Sequence, residues 1–306
     1  MHVSVAIVGF RNPDDIVRCL DALGASSHRD FDVIICENGG PEAYGQLMSV
    51  APASLVGGQK VRVLLAPGNL GYAGGVNACL NATPDADAWW VLNPDTHPAP
   101  NAMAALLARL QARDCDAVGC TVLLPAGKVQ SHGGVWRPWL ARAVSIGYST
   151  PEEMAVRPED IERTQNYLNG ASMLISRRFL EIVGPMREDY FLYCEEVEWC
   201  LRGISKGLNL GYAKDAVVLH YQGSTTGSAG SFRKKSRLPI YMSARNAMLL
   251  TRDCFPGQMP FAAVSFLFQL VLRYGRRGAW RQLHYGVTGW IAGLANRRGA
   301  PAWLQM

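Results

Sequence analysis

The chain of 306 residues carries 8 cysteines, yet none forms a C-x-x-C pair and none joins histidine at zinc spacing. That excludes a zinc-ribbon or disulfide framework, and the scattered thiols read as reduced, largely core residues. Long apolar runs are also missing. The stretch nearest to one, Phe261 to Leu272, is interrupted by Ser265 and Gln269 and is too short to span a bilayer. Met1 leads directly into an apolar strand pattern without a basic leader or small-residue cleavage site, so no signal peptide is expected. Charge is sparse at 18%, and acid disappears after Asp253, while Arg273, Arg276, Arg277, Arg281, Arg297 and Arg298 follow. The net charge of +5 therefore sits largely in the C-terminal tail. No nucleic-acid partner is expected. Two nucleotide signatures are absent as well. The first strand is followed by Gly9-Phe10-Arg11-Asn12, not G-x-G-x-x-G, and there is no G-x-x-x-x-G-K-[ST]. A nicotinamide enzyme is disfavoured and a P-loop enzyme is removed.

What remains is a globular composition, 49% hydrophobic, long enough for one large domain or two intimately packed ones. Short β-branched runs at Val3 to Phe10, Phe31 to Cys36, Val61 to Ala66 and Trp89 to Leu92 alternate with helical patterns, and a fifth strand is expected at Ala117 to Leu124. Such alternation predicts an α/β sheet, mostly parallel and covered on both faces. Each early strand ends in polar or small residues: Arg11-Asn12, Glu37-Asn38, Gly68-Asn69 and Asn93-Pro94-Asp95. Ligands of open α/β sheets bind beyond those carboxyl ends, so this edge is a nucleotide site by position.

Asp95 is the pivot. Pro94 stops the strand and presents a short carboxylate suited to a hard cation, or else Asp95 is a turn or N-cap residue for a helix starting near Pro98. The cluster Glu195, Glu196 and Glu198 follows Phe191, Leu192 and Tyr193 at a helix entry. Apolar neighbours raise a carboxyl pKa toward the range of a general base, while a helix N-terminus favours acids for purely electrostatic reasons. His220 closes a strand at Ala216 to Tyr221, either as a metal ligand or as a structural histidine. A strand over Tyr167 to Ser176 carries Asn169-Gly170, and Gly127 to Thr164 reads either as a mobile aromatic segment beside the site or as an ordinary surface excursion. Ser224 to Arg237 reads as a flexible basic loop, and helices are expected at Ala99 to Arg113, Leu238 to Arg252, Phe261 to Tyr274 and Trp280 to Ala295.

In this order the segments VSVAIVGFRN, ENGG, GNLGYAGGVN, WWVLNPD, NGASMLISRR, FLYCEEVEWCLR, VVLHYQGST and YMSARNAML resemble inverting family 2 glycosyltransferases of the GT-A fold, especially rhamnosyltransferase-like members. The resemblance covers roughly residues 3 to 250. It implies a GT-A domain over 1–253, a Rossmann-like sheet flanked by helices, with a C-terminal helical extension over 254–306. It implies donor contacts from Asn12, Glu37, Asn69, Gly71, Asn93, Asp95, Arg245 and Lys234. Glu37 would accept from the base, where aspartate is more usual, and Arg245 would lie near the diphosphate. Asp95 falls on the last acid of the Asp-x-Asp motif and would hold Mg²⁺ or Mn²⁺ with His220, although Asn93 replaces the first aspartate. Glu196, or its neighbour Glu195, would be the general base.

The implied reaction moves a sugar, best matched by L-rhamnose from dTDP-L-rhamnose, to a hydroxyl of a cell-surface glycan or polyprenyl-diphosphate-linked acceptor. Other UDP-, dTDP- or GDP-sugars would use the same chemistry. A nucleotidyltransferase and a non-catalytic glycan-associated scaffold are the competing readings. The protein is expected in the cytoplasm, peripheral on the inner face of the membrane. Phe261, Val264, Leu267, Phe268, Val271 and Leu272 recur at helical spacing with arginines just beyond, fitting a helix in a membrane interface, or one packed on the core or in a homodimer.

Overall fold

The computed structural model describes residues 1–221 and 235–304. The strands are β1 (Val3–Gly9), β2 (Phe31–Glu37), β3 (Val61–Leu65), β4 (Ala88–Leu92), β5 (Thr96–Pro98), β6 (Ala117–Leu124), β7 (Lys128–Ser131), β8 (Gly134–Arg137), β9 (Arg142–Ser145), β10 (Ser172–Ser176) and β11 (Leu210–His220). The helices are α1 (Pro13–Gly24), α2 (Pro41–Val50), α3 (Gly71–Ala82), α4 (Ala102–Gln111), α5 (Pro158–Thr164), α6 (Arg177–Val183), α7 (Glu195–Ser205), α8 (Arg237–Cys254), α9 (Met259–Tyr274) and α10 (Trp280–Leu294).

The main sheet runs β3-β2-β1-β4-β10-β6-β11-β5, with β7 added to β6. Its first half is parallel, as β1 pairs in that sense with β2 and β4, and β2 with β3. Then β10 inserts antiparallel between β4 and β6, so the second half is mixed. Side chains alternate across the strands. Val3, Val5 and Ile7 of β1 meet Ile16, Leu20 and Leu106 on one face. On the other, Trp89 and Val91 of β4 pack with Val76, Phe179 and Trp199. The adjacent tryptophans of β4 thus face opposite layers, and each indole N–H is satisfied, by Thr83 Oγ1 at 3.0 Å and by Ser172 Oγ at 2.9 Å.

Several sequence expectations need correcting. The chain beyond β4 does not enter a helix near Pro98. It makes β5, which pairs antiparallel with β11, and the helix waits until Ala102 with Asn101 at its N-cap. Asp95 is therefore no helix cap; it lies in the link between two strands. The strand expected from Tyr167 is confined to Ser172–Ser176, because Asn169 Oδ1 accepts from Ala171 N at 2.9 Å and curls the preceding chain. Strand β11 begins at Leu210, well before Ala216. The Gly127 to Thr164 segment is built from β7, the β8–β9 hairpin and α5, with Trp136 buried at 2% exposure. None of its residues lines the main cavity.

The C-terminal helices pack directly on the rest of the protein. A Cβ on Gly289 would fall 2.3 Å from Tyr241 O, and one on Gly293 would fall 2.4 Å from Arg245 O. Glycine at both positions lets α10 lie backbone to backbone on α8. Arg298 then ties the tail to Asp253 and Asp189, at 2.6 and 2.9 Å.

Candidate active site

One cavity of about 570 Å³ opens at the carboxyl edge of β1, β2 and β4, within the range of small-molecule sites. Asn12, Asn69, Gly71, Asn93, Asp95, His220, Glu195 and Glu196 all line it. These residues come from segments spread between positions 12 and 220 of the chain, and the sheet order brings them together.

On the nucleotide side, asparagines fix the strand-end turns. Asn12 Oδ1 accepts from Phe10 N at 2.9 Å, and Asn69 Oδ1 accepts from Gly71 N at 3.0 Å. Asn38, a lining residue that the sequence reading did not single out, donates Nδ2 to Gly71 O at 2.8 Å and ties β2 to the start of α3. Its position beside Glu37 at a strand end was the available signal. Glu37 itself is 1% exposed and does not line the cavity. Its Oε1 accepts from Gly39 N at 2.7 Å and Arg11 N at 3.1 Å, while Oε2 is buried without a partner and a Cβ on Gly9 would meet it at 2.6 Å. The carboxylate shapes the turn from behind the wall.

Asp95 and His220 meet because β5 and β11 are antiparallel neighbours. Tyr221 N donates to Asp95 O at 2.9 Å, and Asp95 Oδ1 lies 3.1 Å from His220 Nε2. His220 Nδ1 faces Gln130 Oε1 at 2.8 Å, a contact from β7 that no motif announced. With Nδ1 held by that amide oxygen, Nε2 is the ring nitrogen that faces Asp95 and that a neutral ring would offer to a metal. Two donors on one cation, each at about 2.1 Å and at right angles, stand roughly 3.0 Å apart. The observed separation fits that edge, and the carboxylate–imidazole set suits a divalent ion whose remaining positions would be filled from outside the protein. Among the described residues there is no group of three or more His, Cys, Asp or Glu side chains that could hold a metal.

The carboxylates of α7 sit at the end of an unusual turn. Phe191, Tyr193 and Cys194 have φ of 66°, 72° and 71°, a region that non-glycine residues enter at a cost. Leu192 N donates to Tyr190 O at 2.8 Å across Phe191, a tight three-residue turn. Asn246 on α8 holds this segment: its Nδ2 faces Tyr190 O, Leu192 O and Tyr193 O at 2.9, 2.8 and 2.7 Å. Gly71 docks from the other side, with Tyr72 N donating to Phe191 O at 2.8 Å. At φ +74° and with Phe191 O 2.2 Å from a built Cβ, that position admits only glycine.

Burial followed by the charge of Glu196 raises the Glu195 carboxyl, and burial raises that of Glu196. The two differ in access. Glu195 is 3% exposed, with Oε2 buried and unpartnered, whereas Glu196 is only half-buried and its stem runs beside Gly170. The third acid, Glu198, is buried and paired with Arg202 at 2.9 Å, a structural role. Tyr72, which donates to Gly170 O at 2.8 Å, has its phenol pushed well up by burial and then by Glu195, Glu196 and Asp95. All three carboxylates thus act on one hydroxyl.

Arg245 does not line the cavity. It is 1% exposed and its guanidinium is spent on Asn246 Oδ1, Tyr190 O and Gly299 O, at 2.8, 2.7 and 2.5 Å. It supports the turn before α7 and lowers the Glu195 carboxyl against the effect of burial. Lys234 lies outside the described residues; its neighbour Lys235 lines the cavity.

Known proteins match this chain along most of its length. It is 21% identical to the low-salt glycan biosynthesis hexosyltransferase of Haloferax volcanii over 98% of this chain and 93% of that protein. It is 27% identical to the N-acetylglucosaminyl-diphospho-decaprenol L-rhamnosyltransferase of Mycobacterium tuberculosis, over 73% of this chain and 77% of that one. Among solved structures, GalNAc-T7 with UDP, GalNAc and Mn²⁺ superposes with a TM-score of 0.61 at 14% identity, covering 81% of this chain. This chain spans about half, 51%, of that longer one. The mannosyltransferase of Pyrobaculum calidifontis with GDP-Man and Mn²⁺ gives 0.56 at 14% identity, over 96% of this chain and 87% of its own. The fold is GT-A. A family model described as "Glycosyltransferase like family 2" matches residues 2–238, and the chain belongs to that family of glycosyltransferase enzymes.

Proposed function

We propose that the protein transfers a hexosyl group from a nucleoside diphosphate sugar, best matched by dTDP-L-rhamnose, to a hydroxyl of a glycan carried on a polyprenyl diphosphate. The observation that carries this reading is the convergence of Asp95 and Glu196 on one cavity, from the end of β4 and the start of α7. The rhamnosyltransferase relative supports the sugar and the lipid-linked acceptor, and the hexosyltransferase relative supports glycan assembly.

Glu196 is the base in this reading because it combines a carboxyl raised by burial with access to the cavity. It takes the proton of the acceptor hydroxyl as that oxygen bonds to the anomeric carbon. The bond to the diphosphate breaks on the opposite face, the leaving oxygen keeps the electron pair, and configuration inverts. Asp95 and His220 would hold Mg²⁺ or Mn²⁺, which when bound supplies positive charge to the donor diphosphate. Asn12, Asn69 and Gly71 shape the nucleotide wall. Glu195, buried beside the base, and Arg245 act as positioning residues.

Transfer from dTDP-L-rhamnose and other nucleotide sugars to a polyprenyl-diphosphate-linked acceptor tests the reading. Glu196→Gln should bind the nucleoside diphosphate with wild-type affinity and lose at least about a hundredfold in turnover. Undiminished transfer by that variant would remove Glu196 from the chemistry.

A further inference from the structure

The exposed face of α9 is an apolar stripe placed away from the cavity. Phe261, Val264 and Phe268 are 63%, 72% and 63% exposed, and Val271 and Leu272 continue the line at helical spacing. The opposite face is the packed one, where Leu270 and Tyr274 are buried.

The stripe is extended by a second, distant segment. Ser265 Oγ donates to Trp139 O at 2.9 Å and Gln269 Nε2 donates to Leu140 O at 2.8 Å, latching the turn between β8 and β9 onto α9. This sets the Trp139 ring, 55% exposed, edge-on to Phe261 at 5.2 Å. Two hydrogen bonds are thus used to hold an indole and a leucine outward, where burying them against the core would be the ordinary outcome.

Cations border the stripe. Arg137 and Arg142, cross-strand partners in the β8–β9 hairpin, flank the Trp139 turn, and Arg273, Arg276 and Arg277 stand in the last turn of α9 and just beyond it. All five are exposed, and no acidic residue follows Asp253. Among the described residues no helix is long and apolar enough to cross a membrane. A second copy of the chain is a poor cover for this face. In a twofold contact this face meets itself, so the arginines bordering it on one copy are brought up to those bordering it on the other. That sets cation against cation.

We propose that α9 and the Pro138–Leu140 turn seat the protein on an anionic lipid surface, with the helix axis in the plane, its apolar stripe among the acyl chains and its terminal arginines at the headgroups. The proposal stands apart from the choice of donor sugar.

Cosedimentation of the full chain with vesicles tests it, comparing equal parts phosphatidylglycerol and phosphatidylethanolamine with phosphatidylcholine alone. Wild type should pellet with the anionic vesicles and be released by salt. Val264→Asp/Phe268→Asp should abolish pelleting, and Arg137→Ala/Arg276→Ala should lower the partition coefficient by roughly thirtyfold. Each altered side chain is exposed, so both variants should melt with the wild type and bind nucleoside diphosphate equally. Wild type remaining in the supernatant would overturn the proposal. So would a Val264→Asp/Phe268→Asp variant that still pellets, or a wild-type dimer in sedimentation velocity that this variant dissociates.

Discussion

Asn246→Asp is the most informative single change, because it keeps the size of the side chain and reverses the polarity of the group holding the turn before α7. In the native protein Asn246 Nδ2 serves Tyr190 O, Leu192 O and Tyr193 O. Tyr190 O keeps its contact from Arg245, so the loss falls mainly on the other two carbonyls. A carbonyl stripped of its donor costs about 1–3 kcal/mol, reduced where the cavity admits water, which gives about 2–4 kcal/mol in total. The held turn contains three non-glycine residues at positive φ, each costing about 1 kcal/mol or more. Lost contacts and strain act in the same direction. A shift of about 3 kcal/mol lowers the ratio of competent to relaxed turn by roughly a hundredfold, and the population by as much where the strained turn is held with little to spare. Steady-state transfer should therefore fall by about that factor, and nucleotide affinity by much less, since Asn12, Asn38 and Asn69 stand on other elements. The acid limb of the pH–rate profile should also move as the surroundings of Glu195 and Glu196 loosen. Asn246→Ala, which leaves space and adds no repulsion, should fall between the two. If Asn246→Asp turned over like the wild type, or if the alanine variant were the worse, the clamp argument would be wrong.

Other consequences can be measured directly. Asp95→Ala should weaken binding of a nucleoside diphosphate in the presence of Mn²⁺ by about tenfold or more and make it insensitive to chelators, as read by calorimetry. Gln130→Ala, one contact removed, should lower metal-dependent affinity by about tenfold with no change in metal-free binding. Glu195 makes stability depend on pH. Its folded carboxyl lies above the ordinary value of 4.5, so its contribution is complete below that pH and is lost as pH rises toward the folded value. The wild type should therefore lose ground to Glu195→Gln by about 1.4 kcal/mol per pH unit within that window, and parallel denaturation curves at every pH would contradict this. Gly71→Ala should be destabilised by several kcal/mol, because its Cβ has nowhere to go between Phe191 O and a positive φ.

Much of the molecule was legible in the residue order. Short apolar runs at Val3, Phe31, Val61 and Trp89, each followed by polar or small residues, determined the parallel half of the sheet and the edge at which the cavity opens, because burial on both faces and the loss of the ladder at a strand end are local facts. Pro94 likewise placed Asp95 at a strand end whatever followed. The sequence could not choose between the two readings of Asp95, since β5 exists only because β11 lies beside it. It could not place Gln130 behind His220 or show that Arg245 is spent on Tyr190 O and Gly299 O, because those partners are distant in the chain and carry no motif, and it could not show that Glu37 lies behind the cavity wall, which packing decides. Nor could it separate Glu195 from Glu196. Neighbours in sequence at a helix start differ in exposure only through what packs around them, and it is the turn held by Asn246 and Gly71 that turns one carboxyl into the wall and leaves the other open to the cavity.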